Sequence, residues 1–214
     1  MIIGDNLQYM EEEGIGYLYL DSPHGNRMSK SVLDDLINVF DPGILQLNIR
    51  GLIILGKGRH FSSGADVEEL IQSVADGVRM DGEKILTYPT WFSQLKTIFN
   101  AVAEMTIPVI TGVSGFCIGS GLELALAGSL RLCAKGSVIG FPESTFGLLP
   151  GATGTYRSME LIGMSNSMEL VLGGQFVDAE NAVRLGLFHK MCPKKEVEAC
   201  CRKEMALILK EHER

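Results

Sequence analysis

Glu123 stands in an otherwise apolar run, Leu122-Glu123-Leu124-Ala125-Leu126-Ala127, four residues after Gly119. A helix built from this run has no polar stripe to turn toward water, so a carboxylate there needs a reason. Twenty residues further on, Glu143 follows Pro142 in a turn behind an apolar strand. Taken alone, a glutamate at a strand end is ordinary surface. Taken as a pair, two carboxylates in one partly dry pocket repel, which lifts one pKa toward neutrality. One group can then give a proton while the other holds water. Two glycine corners, Ser63-Gly64-Ala65-Asp66 and Gly119-Ser120-Gly121, offer the complementary feature. Each allows a tight turn into a helix whose first amides lack internal partners and can bind negative charge. Two such donors converging on one oxygen form an oxyanion hole, where a single donor is worth about 3 kcal/mol of transition-state stabilisation, and enolate formation is the chemistry it suits. From spacing alone a plainer alternative stands beside this one, in which both corners simply cap helices.

The elements that must position these corners are legible as apolar runs between turns. Residues Ile15–Leu20 read as a strand, followed by Ser22-Pro23-His24-Gly25-Asn26 and a helix over about 29–40 with Val32, Leu36, Ile37 and Phe40 on one face. Residues 52–55, wholly apolar between Gly51 and Gly56, read as a strand covered on both faces. A helix is expected over about 66–71 and a longer one over about 82–105, bent or delayed by Pro89. Pro108 opens a strand over Val109–Val113, and the glycine corner then leads to a helix near 122–127. Leu130–Ala134 and 138–141 read as strands, and 165–172, Ala179–Leu185 and 194–210 as helices. Strands and helices alternate without repeat or linker, which predicts a single α/β domain over 1–214, with its core over about 1–193 and a helical tail over about 194–214. In α/β sheets ligands gather outside the carboxyl ends of strands, where both glycine corners and Phe141-Pro142-Glu143 fall.

Four blocks, FSSGAD (61–66), GFCIGSGLELALAG (115–128), PESTFGLLPGATGT (142–155) and FVDAENAVRLGL (176–187), resemble in order and separation the signatures of the crotonase (enoyl-CoA hydratase/isomerase) superfamily. The resemblance runs from about Ile15 to Pro193. It implies an α/β fold, a crotonase-like spiral of repeated ββα units with a C-terminal helical region. It also implies a lyase of the enoyl-CoA hydratase type in fatty acid metabolism, adding water reversibly across the 2,3 double bond of an acyl-CoA thioester. By matched position, the amides of Ala65 and Ser120 polarise the thioester carbonyl, and Ala65, Asp66, Val67 and Ser120 lie against the substrate and its coenzyme A. Glu123 and Glu143 hold and activate water. Coenzyme A enters only as part of the substrate, so neither a separate cofactor nor a metal is implied. The implied assembly is a homotrimer or a dimer of trimers. Position 120 is usually Gly in the family and is Ser here, which keeps the amide and adds a hydroxyl able to touch substrate. Relatives commonly continue for several more helical turns that complete the pocket; with the chain given as ending at Arg214, residues 68–97 are the expected lid. Two alternatives stay open. One keeps the fold but isomerises, decarboxylates or hydrolyses, with acyl carrier protein in place of coenzyme A as a variant. The other is a non-catalytic acyl-CoA-binding subunit.

Other classes lose support. A net charge of −7 argues against a nucleic-acid partner. Five cysteines without a CxxC pair suit free thiols and a cytoplasmic setting. The N-terminus lacks the basic and apolar regions of a signal peptide, and no apolar run is long enough for a bilayer. Gly51 to Lys57 imitates the start of a phosphate loop, but Gly58 stands where Ser or Thr is needed. His24, His60, His189 and His212 lack metal-ligand spacing, and Met159, Met164, Met168 and Met191 suit core gaps or subunit contacts.

Overall fold

The computed structural model describes residues 2–40, 49–77, 79–81, 84–87 and 90–212. Its frame follows from two strands that are buried on both faces, β3 (Ile15–Leu20) and β4 (Gly51–Gly56). Strand side chains alternate, so Leu18, Leu20, Leu52 and Ile54 enter one core while Tyr17, Tyr19, Ile53 and Leu55 enter another. That division explains why 52–55 reads as one unbroken apolar run.

Around this pair, β1 (Ile2–Ile3), β2 (Leu7–Glu12), β7 (Val109–Val113), β9 (Leu130–Ala134) and β12 (Lys190–Cys192) complete a seven-stranded sheet, order β1-β2-β3-β4-β7-β9-β12. The first three strands pair antiparallel and every later neighbour pairs parallel. A smaller sheet, order β11-β10-β8, joins β8 (Phe116–Ile118), β10 (Val138–Gly140) and β11 (Phe176–Asp178). Between β3 and β4 run one irregular turn, α1 (Pro23–Asn26), and the amphipathic α2 (Lys30–Phe40), which buries Val32, Leu33, Leu36 and Val39. After β4 come α3 (Val67–Gly77), the hairpin of β5 (Arg79–Asp81) and β6 (Lys84–Thr87), and α4 (Thr90–Ala103). The wholly buried α5 (Ser120–Ala127) follows β8, and α6 (Gly154–Gly173), α7 (Ala179–Leu185) and α8 (Val197–His212) complete the chain. The first core lies among α2, α4 and α5, while α8 covers the second, with Cys201 and Met205 packed on β4 and β7. A Cβ added to Gly51 would run into Met205 Sδ, and one on Gly112 would stand 2.6 Å from Cys201 Sγ, so this helix rests directly on strand backbone.

The long helix expected over 82–105 is corrected to one that starts at Thr90, with Lys84–Thr87 paired as a strand instead. Pro89 itself lies outside the described residues, but a proline removes a helical hydrogen bond and disfavours helix in the residue before it. The helix expected over 165–172 is the second half of α6, which starts at Gly154 and kinks at Gly163 (φ 76). The tail helix starts at Val197 rather than 194, because Lys195 is left-handed (φ 74). Of the expected lid, 68–97, only part is described. Among the described residues, no helix is long and apolar enough to cross a membrane.

Candidate active site

β4 and β8 bring the two glycine corners together. Ser62 N donates to Phe116 O (3.0 Å) and Ile118 N to Ser62 O (3.3 Å), bridging the segments side by side. A Cβ on Gly64 (φ 86) would stand 3.0 Å from Ile118 O, and one on Gly121 would stand 2.5 Å from Ser62 Cβ. Backbones approach this closely only where side chains are absent. Past the corners, Asp66 N donates to Met28 O (3.2 Å) and Gly119 N to Gly140 O (3.0 Å). The amides of Ala65 and Ser120 sit beside these tied groups but outside the bonds that join the segments. Such amides suit negative charge.

Every residue of α5 is buried, and Glu123 is 2 % exposed. The remedy comes from the start of α6. Glu123 Oε1 accepts from Ala152 N (3.1 Å), Thr153 N (2.9 Å) and Gly154 N (2.7 Å). A helix N-terminus carries partial positive charge and unpaired donors, so it can hold a buried carboxylate. Burial pushes the Glu123 pKa up, and the three amides pull against it. All three bonds fall on Oε1, leaving Oε2 outside them.

Glu143 opens a 3-10 turn, Glu143–Phe146, which Gly147 closes in the left-handed conformation (φ 73). Its carboxyl lies against Gly119, where an added Cβ would stand 2.8 Å from Glu143 Oε1. With φ 54, Gly119 both makes the corner and leaves room for the acid. Glu143 Oε2 is buried without a hydrogen-bond partner. Burial first, then the charge on Glu123, pushes the Glu143 pKa up to about 8. Burial raises both acids, but Glu123 has three amide donors and the Glu143 side chain has nothing comparable, which favours the negative charge of the pair on Glu123 and the proton on Glu143. Ser120 Oγ and Thr153 Oγ1 are also buried and unpartnered. Ser120 lies one turn before Glu123, and Thr153 supplies one of its amides. Buried polar atoms are nearly always paired, so the three orphaned oxygens near the two acids are groups that a polar guest would satisfy.

The corner that carries Ala65 continues into α3. Asp66 Oδ1 caps this helix, accepting from Glu68 N (3.1 Å) and Glu69 N (3.2 Å), while Oδ2 pairs with Arg27 Nη1 at 2.8 Å. Arg27 holds the Asp66 carboxyl below its usual range. Val67, half-buried, is the first residue of α3. The structure places Ala65 at the first corner and Ser120 at the second, with Glu123 one turn further along α5 and the Glu143 carboxyl against Gly119. The sequence reading missed Ala152, Thr153 and Gly154, whose contribution is backbone N–H and whose one signal was a glycine-rich stretch before a helix. It also missed Arg27. Of the methionines expected to fill core gaps or subunit contacts, Met164 and Met168 are 62 % and 46 % exposed and so do not fill the core. Among the described residues, no group of three or more His, Cys, Asp or Glu is arranged to hold a metal.

The family model described as enoyl-CoA hydratase/isomerase matches residues 10–214. The fatty acid oxidation complex subunit alpha of Shewanella baltica is 32% identical over 195 residues, covering 86% of this chain and 25% of that protein. The probable enoyl-CoA hydratase of Bacillus subtilis is 28% identical over 176 residues, covering 82% of this chain and 65% of that one. The chain therefore spans between a quarter and about two thirds of the length of these curated relatives. The crystal structure of enoyl-CoA hydratase from Bacillus anthracis matches with a TM-score of 0.83 at 27% identity, over 96% of this chain and 77% of that one. The fold is thus the crotonase fold, a mixed α/β core with a helical C-terminal region. By family match and shared fold alike, the chain belongs to the enoyl-CoA hydratase/isomerase family.

Proposed function

We propose that this protein hydrates a 2-enoyl-CoA reversibly. The observation that carries the reading is the unlike state of the two acids, an orphaned Glu143 with its pKa near 8 beside an anchored Glu123. The thioester oxygen lies between the amides of Ala65 and Ser120, which stabilise charge as it develops there. Residues 65–67 and Ser120 flank the thioester and its coenzyme A, the only cofactor portion the reaction needs. Water is held at Glu123 Oε2 and bonds to C3 as the C2=C3 electron pair moves onto the thioester oxygen. Glu143 gives its proton to C2, the proton lost by water passes to Glu123, and transfer between the acids resets the pair. The assembly is a homotrimer or a dimer of trimers, a reading supported by the exposed Met164, Met168 and Leu172 at four-residue spacing on α6.

The test is incubation of purified protein with crotonyl-CoA and longer enoyl-CoA thioesters, read by mass spectrometry. A product heavier by one water is expected; intact substrate across the panel would overturn the reading. One observation favours a second reaction: three amides on Glu123 Oε1 also suit a purely structural anchor, and Glu143 alone suffices to move a proton in double-bond isomerisation. Product of unchanged mass with a shifted double bond would identify that case, and the same panel on acyl carrier protein would identify the carrier.

A further inference from the structure

On the other side of the large sheet, a cavity of about 670 Å³ opens where α8 begins, and neither acid of the candidate active site nor Ala65 or Ser120 lines it. Its walls concentrate positive charge in a chain of net charge −7: Lys57, Arg59, Lys135, Lys194 and Lys195 all contribute. Among the described residues, none of these five forms an ion pair. The one acid in the wall, Glu198, is already engaged, accepting from Arg202 (3.0 Å) and from the Tyr19 hydroxyl (3.0 Å). Unpaired cations gathered in a concave site focus positive potential and draw polyanions, whatever the sign of the whole protein. The volume falls within the range that takes a ligand of nucleotide size.

Three aromatic rings, Tyr19, His60 and Phe116, share the wall with these cations. Lys57 Nζ lies over the Tyr19 ring, 4.2 Å from its centroid. Phe116 is 42 % exposed, and His60 stacks on one of its faces with centroids 4.4 Å apart and planes within 6°. His60 is locked in place, since its Nδ1 accepts from Phe116 N (2.9 Å), and burial and then Arg59 lower its pKa, keeping the ring neutral. Phe116 thus presents an exposed aromatic ring in the same wall as the lysines. Aromatic faces of this kind bind bases by stacking, with little preference among them.

We propose that this cavity is a second ligand site that takes a nucleoside carrying two or more phosphates, the base on Phe116 and the phosphates among Lys135, Lys194 and their neighbours. The chemistry fits a free nucleoside diphosphate and the nucleotide end of coenzyme A alike, and the test separates them. Calorimetric titration of the full chain is run with ADP, coenzyme A and inorganic pyrophosphate, on wild type and on two variants. Lys135 and Lys194 are exposed, so the double variant K135E/K194E retains its fold, as circular dichroism will check. It is expected to weaken ADP and pyrophosphate by roughly tenfold or more. Phe116→Ala is expected to weaken ADP by about tenfold while changing pyrophosphate by less than about twofold. ADP binding with no second, K135E/K194E-sensitive event for coenzyme A assigns the site to free nucleotides; such an event assigns it to coenzyme A as well. Absence of ADP binding at millimolar concentration, or ADP binding unaltered in K135E/K194E, overturns the proposal. Glu123→Gln leaves ADP binding unchanged, so the result stands apart from whether the acid pair hydrates anything.

Discussion

Glu123 and Glu143 come to one neighbourhood from opposite kinds of structure. Glu123 projects from the middle of a regular, wholly buried helix and is met by three amides of another. Glu143 sits in a short 3-10 turn with one oxygen unpartnered and its other oxygen against the backbone of Gly119. Side-chain type is the same in both and burial raises both pKa values, so what sets the two apart is the donors that each backbone setting supplies against that rise. Rigid helical placement gives an anchored anion. The turn gives a neutral acid able to release its proton.

The sharpest break of that contrast is Glu143→Gln, which keeps shape and removes the proton; turnover of crotonyl-CoA is expected to fall by about two decades or more. Glu123→Gln is expected to lower turnover by a similar factor and to cost roughly 1–3 kcal/mol of stability, since its amides lose their charged acceptor. Urea melts beside steady-state rates separate the two variants, and unchanged rates in both would dissolve the functional pairing. Next comes Gly119→Ala, which forces a side chain into positive φ and against Glu143; a loss of roughly 1–2 kcal/mol and of about tenfold in kcat is expected.

The third test uses pH. The folded pKa of Glu143, about 8, lies above its ordinary value of 4.5, so the folded state binds more protons than the unfolded state across that window. Glu143 therefore costs stability increasingly as pH rises from near 4.5 through about 8. Thermal melts should show Glu143→Gln close to wild type at the acid end and clearly more stable at the alkaline end. A constant Tm difference would place the proton elsewhere. Hydration by wild type should decline over the alkaline limb of the same window as Glu143 loses its proton. The smallest effect is expected for Ser120→Gly, which keeps the amide and removes an unpartnered hydroxyl. Its kcat should stay within about threefold while KM shifts, whereas loss of an oxyanion donor would cost far more.

How much of this was readable beforehand follows from what leaves a mark in side-chain order. The apolar runs of β3, β4, β7 and α5 announced themselves by burial, and Glu123 by contradicting its surroundings. Gly64 and Gly119 were legible because few other residues tolerate their backbone. The three-residue strands β8, β11 and β12 are too short for a period to appear. The donors at 152–154 are main-chain groups common to all non-proline residues, so nothing in their identity marked them as the cradle of Glu123. Pro89 was rightly seen as an obstacle, yet periodicity carried the expected helix across it.

The seat of α8 on Gly51 and Gly112 also bears on how the molecule is made. Synthesis runs from the N-terminus, and the strands that α8 covers are complete once Cys192 has been added, before the helix itself exists. Until residues 197–209 leave the ribosome, Ile53, Leu55, Ile110 and Leu132 form an oily plateau that α8 has yet to cover. Nascent chains are therefore vulnerable to clumping, and in need of a chaperone, in the interval between the addition of Cys192 and the emergence of α8.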